Sequence, residues 1–201
     1  MVYQSNTGMS SASTVVSTPE NSGFDKVQNG PKKVYYTYDQ IHQLIDSKAN
    51  SMTDFDYIIA IGGGGLIPAR MLRKTLKIPI IVITIKYYDS DDNVNSEPEI
   101  HQWDADLSKK LASKRCLIVD EVFDTGSTME YVVNRFIKEG VTDLSVMVLH
   151  HKKKESNLER FTSIRSHLKN FYPVVEVVDE WIVYPWEADD IIEHNSLAKL
   201  N

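Results

Sequence analysis

The sequence predicts an α/β domain with a central parallel sheet flanked by helices. Three observations lead there. Four short apolar runs (Tyr57 to Ile61, Ile80 to Ile85, Leu117 to Val119, Leu144 to Leu149) do not alternate with polar residues, as strands covered on both faces require. Helical patterns fall between runs, so strand, turn and helix recur in order. Glycines, acids, hydroxyls and lysines follow directly after the runs, where open parallel sheets bind ligands.

Each element has a local reason. Residues 1–33 are rich in Ser, Thr, Asn, Gly and Pro, and Val15, Val16 and Phe24 stand alone. Such a segment buries too little apolar surface to offset its ordering entropy, so a disordered tail is expected, with a domain over 34–201. Thr37 and Gln40 have capping-box spacing ahead of Ile41, Leu44 and Ile45. After the first buried strand, four glycines lead into a helix with Pro68 in its first turn and Met71, Leu72 and Leu76 on one face. Tyr87 to about Asp104 is polar and reads as a long loop. Met129, Val132, Val133, Phe136 and Ile137 form a helical face that stops at Gly140.

Composition narrows the class. The chain has 201 residues, a formal net charge of -6 and 42% hydrophobic residues. The acidic balance argues against a protein that coats nucleic acid or a membrane surface. Cys116 is the single cysteine and no Asn-x-Ser/Thr acceptor occurs, which together suit a reducing compartment, most simply the cytosol. No apolar run approaches the roughly 20 residues of a membrane span. The first residues lack the basic start and apolar stretch of a signal peptide.

The most informative string runs from Leu117 to Thr128, reading Leu-Ile-Val-Asp-Glu-Val-Phe-Asp-Thr-Gly-Ser-Thr. A buried strand delivers Asp120 and Glu121 to its carboxyl end. A turn with Asp124, Thr125 and Gly126 follows, and a helix starts near Ser127 and Thr128. Backbone N–H groups at a helix start, helped by hydroxyls, suit a phosphate. Paired carboxylates beside them suit ribose hydroxyls or a hydrated divalent cation. The plain alternative is a capped turn with solvated acids.

This string resembles the phosphoribosyl-diphosphate (PRPP) motif of the type I phosphoribosyltransferases, which reads apolar strand, two acids, two variable residues, Asp-Thr-Gly-x-Thr. The resemblance implies that Asp120 and Glu121 hold the ribose hydroxyls and help organise Mg2+. It implies that Asp124 to Thr128 wrap the 5-phosphate, and, in the 6-oxopurine branch, that Asp124 is the general base. Gly62, Gly63, Gly64 and Gly65 look like the family's pyrophosphate loop; a flexible turn is the alternative reading. Many members carry Arg or Lys where this chain has Gly63. Arg70 from the following helix either compensates or faces solvent or a neighbouring subunit. Tyr87 and Tyr88 look like the start of the flexible catalytic loop, with Tyr87 in place of the usual Ser. Gln102-Trp103 has a parallel in fungal purine enzymes.

Base selection is expected from two further stretches. His150-His151-Lys152-Lys153-Lys154 follows the fourth strand. As residue types these read equally well as a solvated run. By resemblance Lys152 reads the purine 6-oxo group, with His150 or Lys153 in that place if the register slips. The pattern Trp181-Ile182-x-x-Pro185-Trp186-Glu187 resembles the hood of bacterial xanthine-guanine and fungal hypoxanthine or xanthine enzymes, placed at about 170–201. That match puts Trp181 on the base and the Ile182 backbone and Glu187 near its 2-position. As residue types the two tryptophans also read as core anchors, a role expected of Trp186. The resemblance implies a magnesium-dependent transfer from PRPP to hypoxanthine, guanine or xanthine, in a cytoplasmic homodimer or homotetramer. The competing class is a non-catalytic PRPP or nucleotide sensor on the same fold.

Overall fold

A computed structural model describes residues 32–88 and 94–200. The expected tail lies outside the described residues, apart from Lys32 and Lys33. The elements in chain order are β1 (Lys33–Tyr35), α1 (Tyr38–Ala49), β2 (Tyr57–Ile61), α2 (Leu66–Leu76), β3 (Ile80–Tyr88), β4 (Val94–Gln102), α3 (Leu107–Leu111), β5 (Cys116–Phe123), α4 (Ser127–Lys138), β6 (Leu144–Lys152), α5 (Glu155–Arg165), β7 (Leu168–Val177), β8 (Trp181–Val183), a 3-10 turn (Pro185–Glu187) and α6 (Ile191–Leu197).

Six strands form the main sheet in the order β4-β3-β2-β5-β6-β7. All its neighbours are parallel except the β3–β4 pair. The sheet is covered on both faces, as the non-alternating strands require. One core contains Ile59, Ile118, Val146 and Val148 with Met129, Val132, Val133 and Phe136 of α4. The other contains Ile58, Leu117, Val119 and Met147 with Ile41 and Ile45 of α1 and Leu72 of α2. Neighbouring strand residues therefore face opposite cores. The capping box on α1 is formed: Gln40 N–H donates to Thr37 Oγ1 at 3.2 Å, and Thr37 N–H donates to Gln40 Oε1 at 2.7 Å.

Three expectations change. The polar stretch after Tyr87 contains β4, an antiparallel edge strand, rather than one long loop. An edge strand needs no apolar face, and it tolerates Pro98 because its outer N–H groups make no ladder bonds. Residues 89–93 lie outside the described residues. Secondly, the proposed start of the hood at about 170 falls inside β7, which pairs with β6 in the main sheet. The chain leaves that sheet only after Val177. Thirdly, the hood strand β8 pairs in parallel with β1, so Lys33, Val34 and Tyr35 lie opposite Trp181, Ile182 and Val183. The N-terminal end of the described chain is thus built into the hood. Among the described residues no helix is long and apolar enough to cross a membrane.

Candidate active site

The centre of the sheet sets the geometry. β5 and β6 run beyond the ends expected from their apolar runs, to Phe123 and Lys152. Asp120 and Glu121 consequently lie within β5, three and two positions before its end. Asp120 is buried, and its carboxylate accepts from the Glu121 N–H at 2.9 Å. Burial, reinforced by the neighbouring Glu121 charge, pushes the Asp120 carboxyl well above the usual carboxylate range. Glu121 Oε2 is buried with no hydrogen-bond partner. Two adjacent acids, one orphaned oxygen and a suppressed ionisation suit a cation or hydroxyl donors as partners. Among the described residues no group of three or more acids, His and Cys gathers at metal distance. The pair alone thus fits a hydrated cation that shares oxygens with a ligand.

The glycine turn after β2 packs against this pair. A methyl group on Gly64 would overlap the Glu121 carboxyl group. On Gly65 it would meet the carbonyl oxygens of Ile61 at 2.6 Å and Val119 at 2.7 Å. The turn is therefore tight because the end of β2 and the body of β5 occupy the space a side chain needs. Gly63 is exposed, and Arg70 is an exposed residue of α2 that lines a groove with His42, Arg73, Lys74 and Lys77.

At the start of α4, Gly126 has φ +82° and provides no side-chain cap. Thr125 Oγ1 lies 3.2 Å from Ser127 Oγ. Ser127 is buried, while Thr128 is partly exposed. The helix start thus presents backbone N–H groups beside hydroxyls. Asn157, in the first turn of α5, donates to the Asp124 carbonyl at 2.6 Å and to the Lys152 carbonyl at 2.8 Å. One buried amide thereby fixes the turn after β5 to the end of β6.

The His-His-Lys-Lys-Lys run is divided by its strand. His150, His151 and Lys152 are buried, so the solvated reading fails for them. Lys153 is exposed and pairs with Glu176 at 2.7 Å. His151 meets Phe123, Phe161 and Phe171 on one face. His150 meets Tyr36 and Tyr184 on the other, so it serves the hood side of the core rather than taking the place of Lys152. Lys152 Nζ donates to Asp124 Oδ2 at 2.8 Å. Lys154 binds the other Asp124 oxygen and Asp179, the latter at 3.0 Å. Burial alone would raise the Asp124 carboxyl, but hydrogen bonds from Lys152 and Lys154 outweigh it and hold it below the ordinary range.

The hood meets this cluster at several points. Asp179 lies 3.8 Å from Lys152. Tyr184 hydrogen-bonds both the Glu121 carbonyl and His150, at 3.1 and 2.9 Å. Glu187 is exposed at the surface, and its carboxyl is raised by partial desolvation and by the nearby Glu121 charge. Trp181 is 56% exposed, whereas Ile182 is buried. Trp186 stacks on Tyr184 with ring centroids 4.5 Å apart, a packing role as expected. Trp103 also packs, against Phe136 at 4.7 Å with Arg135 over its ring at 4.1 Å. Tyr87 borders a cavity with Ser127, Glu130 and Tyr131; the Tyr88 side chain lies outside the described residues. Sequence reasoning missed Lys154, Asn157, Asp179 and Tyr184 as site members. The third lysine of the run was a signal for Lys154; the other three gave none.

Sheet, crevice and turns place the chain among the doubly covered α/β proteins whose ligand crevice lies at the carboxyl ends of parallel strands. Within that class it belongs to the phosphoribosyl transferase domain family, which residues 35–186 match. It is 36% identical over 202 residues to hypoxanthine-guanine phosphoribosyltransferase of Schizosaccharomyces pombe, spanning 85% of this chain and 97% of the relative. It is 34% identical to xanthine phosphoribosyltransferase 1 of Saccharomyces cerevisiae, over 84% of this chain and 96% of the relative. A solved structure of a hypothetical protein from Neisseria gonorrhoeae with bound ppGpp superposes with a TM-score of 0.70 at 40% identity, over 85% of this chain and 98% of that one.

Proposed function

We propose that the protein transfers the phosphoribosyl group of PRPP to a 6-oxopurine, giving a nucleoside monophosphate and diphosphate. The observation that carries this reading is the 2.8 Å pair between Lys152 and Asp124. A 6-oxopurine presents a carbonyl oxygen next to its imidazole nitrogens. An ammonium can only donate, which suits the 6-oxo group and disfavours the amino group of adenine. A carboxylate held ionised can accept the imidazole proton. The exposed face of Trp181 offers a stacking surface for the ring.

In the reaction the anomeric C–O bond to diphosphate breaks and a C–N bond to the base forms. The base proton passes to Asp124, and the electron pair leaves with diphosphate. Positive charge builds on the sugar in between. Asp120 and Glu121 hold the ribose hydroxyls, Asp124 to Thr128 hold the 5-phosphate, and the N–H groups of Gly63 to Gly65 face the diphosphate, while that of Gly62 is used by the Ile83 carbonyl at 2.6 Å. Asp120 and Glu121 also fit Mg2+, which when bound would neutralise diphosphate charge. A positioned general base contributes about 100- to 10,000-fold. Holding base and sugar in line contributes a further share.

The test is diphosphate release from PRPP and Mg2+ with hypoxanthine, guanine, xanthine and adenine. Release with one or more 6-oxopurines and not with adenine is expected. Release with adenine alone would overturn the donor and acceptor assignment. A second reading, a nucleotide sensor using the same crevice, is favoured by the similarity to a protein with bound ppGpp. It predicts saturable binding of PRPP or ppGpp with no diphosphate release on any base.

A further inference from the structure

Asp124 is held by more cations than a general base needs. Lys152, at the end of β6, binds one carboxylate oxygen, and Lys154, just before α5, binds the other. Their surroundings differ. The Lys152 side chain is 8% exposed and has Asp179 only at 3.8 Å. Lys154 is shared between Asp124 and Asp179, with the latter at 3.0 Å. Burial would lower the Lys154 ammonium, yet the bonds to Asp124 and Asp179 raise it. Lys154 thus has two anionic partners from two parts of the chain, the phosphate turn and the segment leading to β8.

The proposed function makes a demand on this arrangement. Lys152 cannot donate to a purine oxygen along the bond it gives Asp124. When the base draws the Lys152 ammonium toward its 6-oxo group, the bond to Asp124 lengthens, and Asp124 loses part of what orients it. Lys154 remains. We propose that Lys154 is a positioning residue that holds the Asp124 carboxylate in place while Lys152 is drawn toward the base, with Asp179 anchoring Lys154. This inference rests on the proposed function. It assigns to Lys154 and Asp179 a task that the motif residues alone do not perform. It also gives the base-reading lysine a resting partner, so the buried Lys152 ammonium is paired before the base arrives. The groups facing Asp124 are Lys152 from β6 and Lys154 before α5, with Asp179 behind both lysines. Asn157 and Arg160 of α5 reach only the carbonyls of Asp124 and Thr125.

The experiment compares Lys154→Gln, Lys154→Arg and Asp179→Asn in the full chain. Lys154→Gln should lower kcat on the order of tenfold to a hundredfold, as small misplacements of a reacting group do. The KM for PRPP should change much less, and the acid limb of kcat/KM should move to higher pH. Lys154→Arg should recover most of the loss, and Asp179→Asn should give a smaller loss of the same kind. Unchanged kcat and acid limb in Lys154→Gln, or equal losses in Lys154→Arg and Lys154→Gln, would overturn the proposal. A second readout needs no turnover: the carbon-13 titration of the Asp124 carboxyl in the ligand-free protein. It should move to higher pH in Lys154→Gln; the same midpoint as wild type overturns the proposal. If wild type releases no diphosphate with any base, the proposed function fails instead, while the titration still decides whether Lys154 holds Asp124.

Discussion

The phenolic oxygen of Tyr184, beside the 3-10 turn of the hood, donates a 3.1 Å hydrogen bond to the backbone carbonyl of Glu121 in the central strand. The carbonyl can only accept, so the single tyrosine proton is committed there. His150 Nδ1, 2.9 Å from the same oxygen, must then be the protonated nitrogen of its ring. One hydroxyl thus joins hood, acid pair and the end of β6. Tyr184→Phe should keep the stack on Trp186 but leave a buried carbonyl and a buried N–H unpaired. A loss of about 1–3 kcal/mol is expected. Urea denaturation measures it, and the KM for PRPP should rise as Glu121 loosens. A wild-type midpoint with a wild-type KM would show that the link carries no weight.

Adjacent glycines should fail in different ways. At Gly65 a methyl meets two backbone carbonyl oxygens that cannot move without shifting β2 and β5. Gly65→Ala should therefore cost roughly 1–3 kcal/mol of stability. At Gly64 the obstacle is the far end of the Glu121 side chain, which can swing aside. Gly64→Ala should stay within about 1 kcal/mol of wild type in denaturation, since the backbone is not strained. It should bind PRPP much more weakly, because Glu121 has been displaced. Calorimetric titration with PRPP and Mg2+ separates the two, and equal behaviour of the variants would count against the distinction.

How much of this was legible in the sequence depends on locality. The order of strand, turn and helix start from Asp120 to Thr128 is legible because it is written in consecutive residues, although β5 continues two residues past the acid pair. The capping box at Thr37 and Gln40 is legible for the same reason. The Lys154–Asp179 and Tyr184–Glu121 pairs are not, because their partners are 25 and 63 residues apart and nothing local couples them. β4 was missed because an edge strand does not carry the apolar pattern that identifies an inner one. His150 and His151 looked solvated by type. They are buried because β6 continues past its apolar run, and their rings are met by Tyr36 and Tyr184 on one face and by three phenylalanines on the other.

Asp124 and Trp181 should separate chemistry from recognition. Asp124→Asn removes the proton acceptor but keeps the shape of the turn. Turnover should fall by about 100- to 10,000-fold while PRPP affinity is largely kept. Trp181→Ala should weaken purine binding more than PRPP binding. Its ring is exposed and carries little of the core, so denaturation should change by less than about 1 kcal/mol. Steady-state kinetics with each substrate varied in turn tests both. Unchanged turnover in Asp124→Asn would remove its role as base, and equal losses of purine and PRPP affinity in Trp181→Ala would make that residue structural.

His150 should give the folded state a dependence on acid. Burial lowers its imidazole from 6.5 to about 4. Its Nδ1 proton is used by Tyr184, and Nε2 is buried without a partner, so protonation would create a second buried N–H with nothing to accept it. In the unfolded chain the ring titrates near its ordinary value. As pH falls from about 6.5 to about 4, the unfolded state therefore takes up a proton that the folded state refuses. The stabilisation is full above the upper value and is lost on descending to the lower one, by up to about 3 kcal/mol. His151, lowered by burial against the opposing pull of Glu176, adds a slope of the same sign. Urea unfolding at closely spaced pH values between 7 and 4 should show stability falling through this window. In His150→Gln the slope should be markedly shallower, whatever the absolute stability of the variant, because only the difference in bound protons sets it. An unaltered slope would place the acid sensitivity elsewhere.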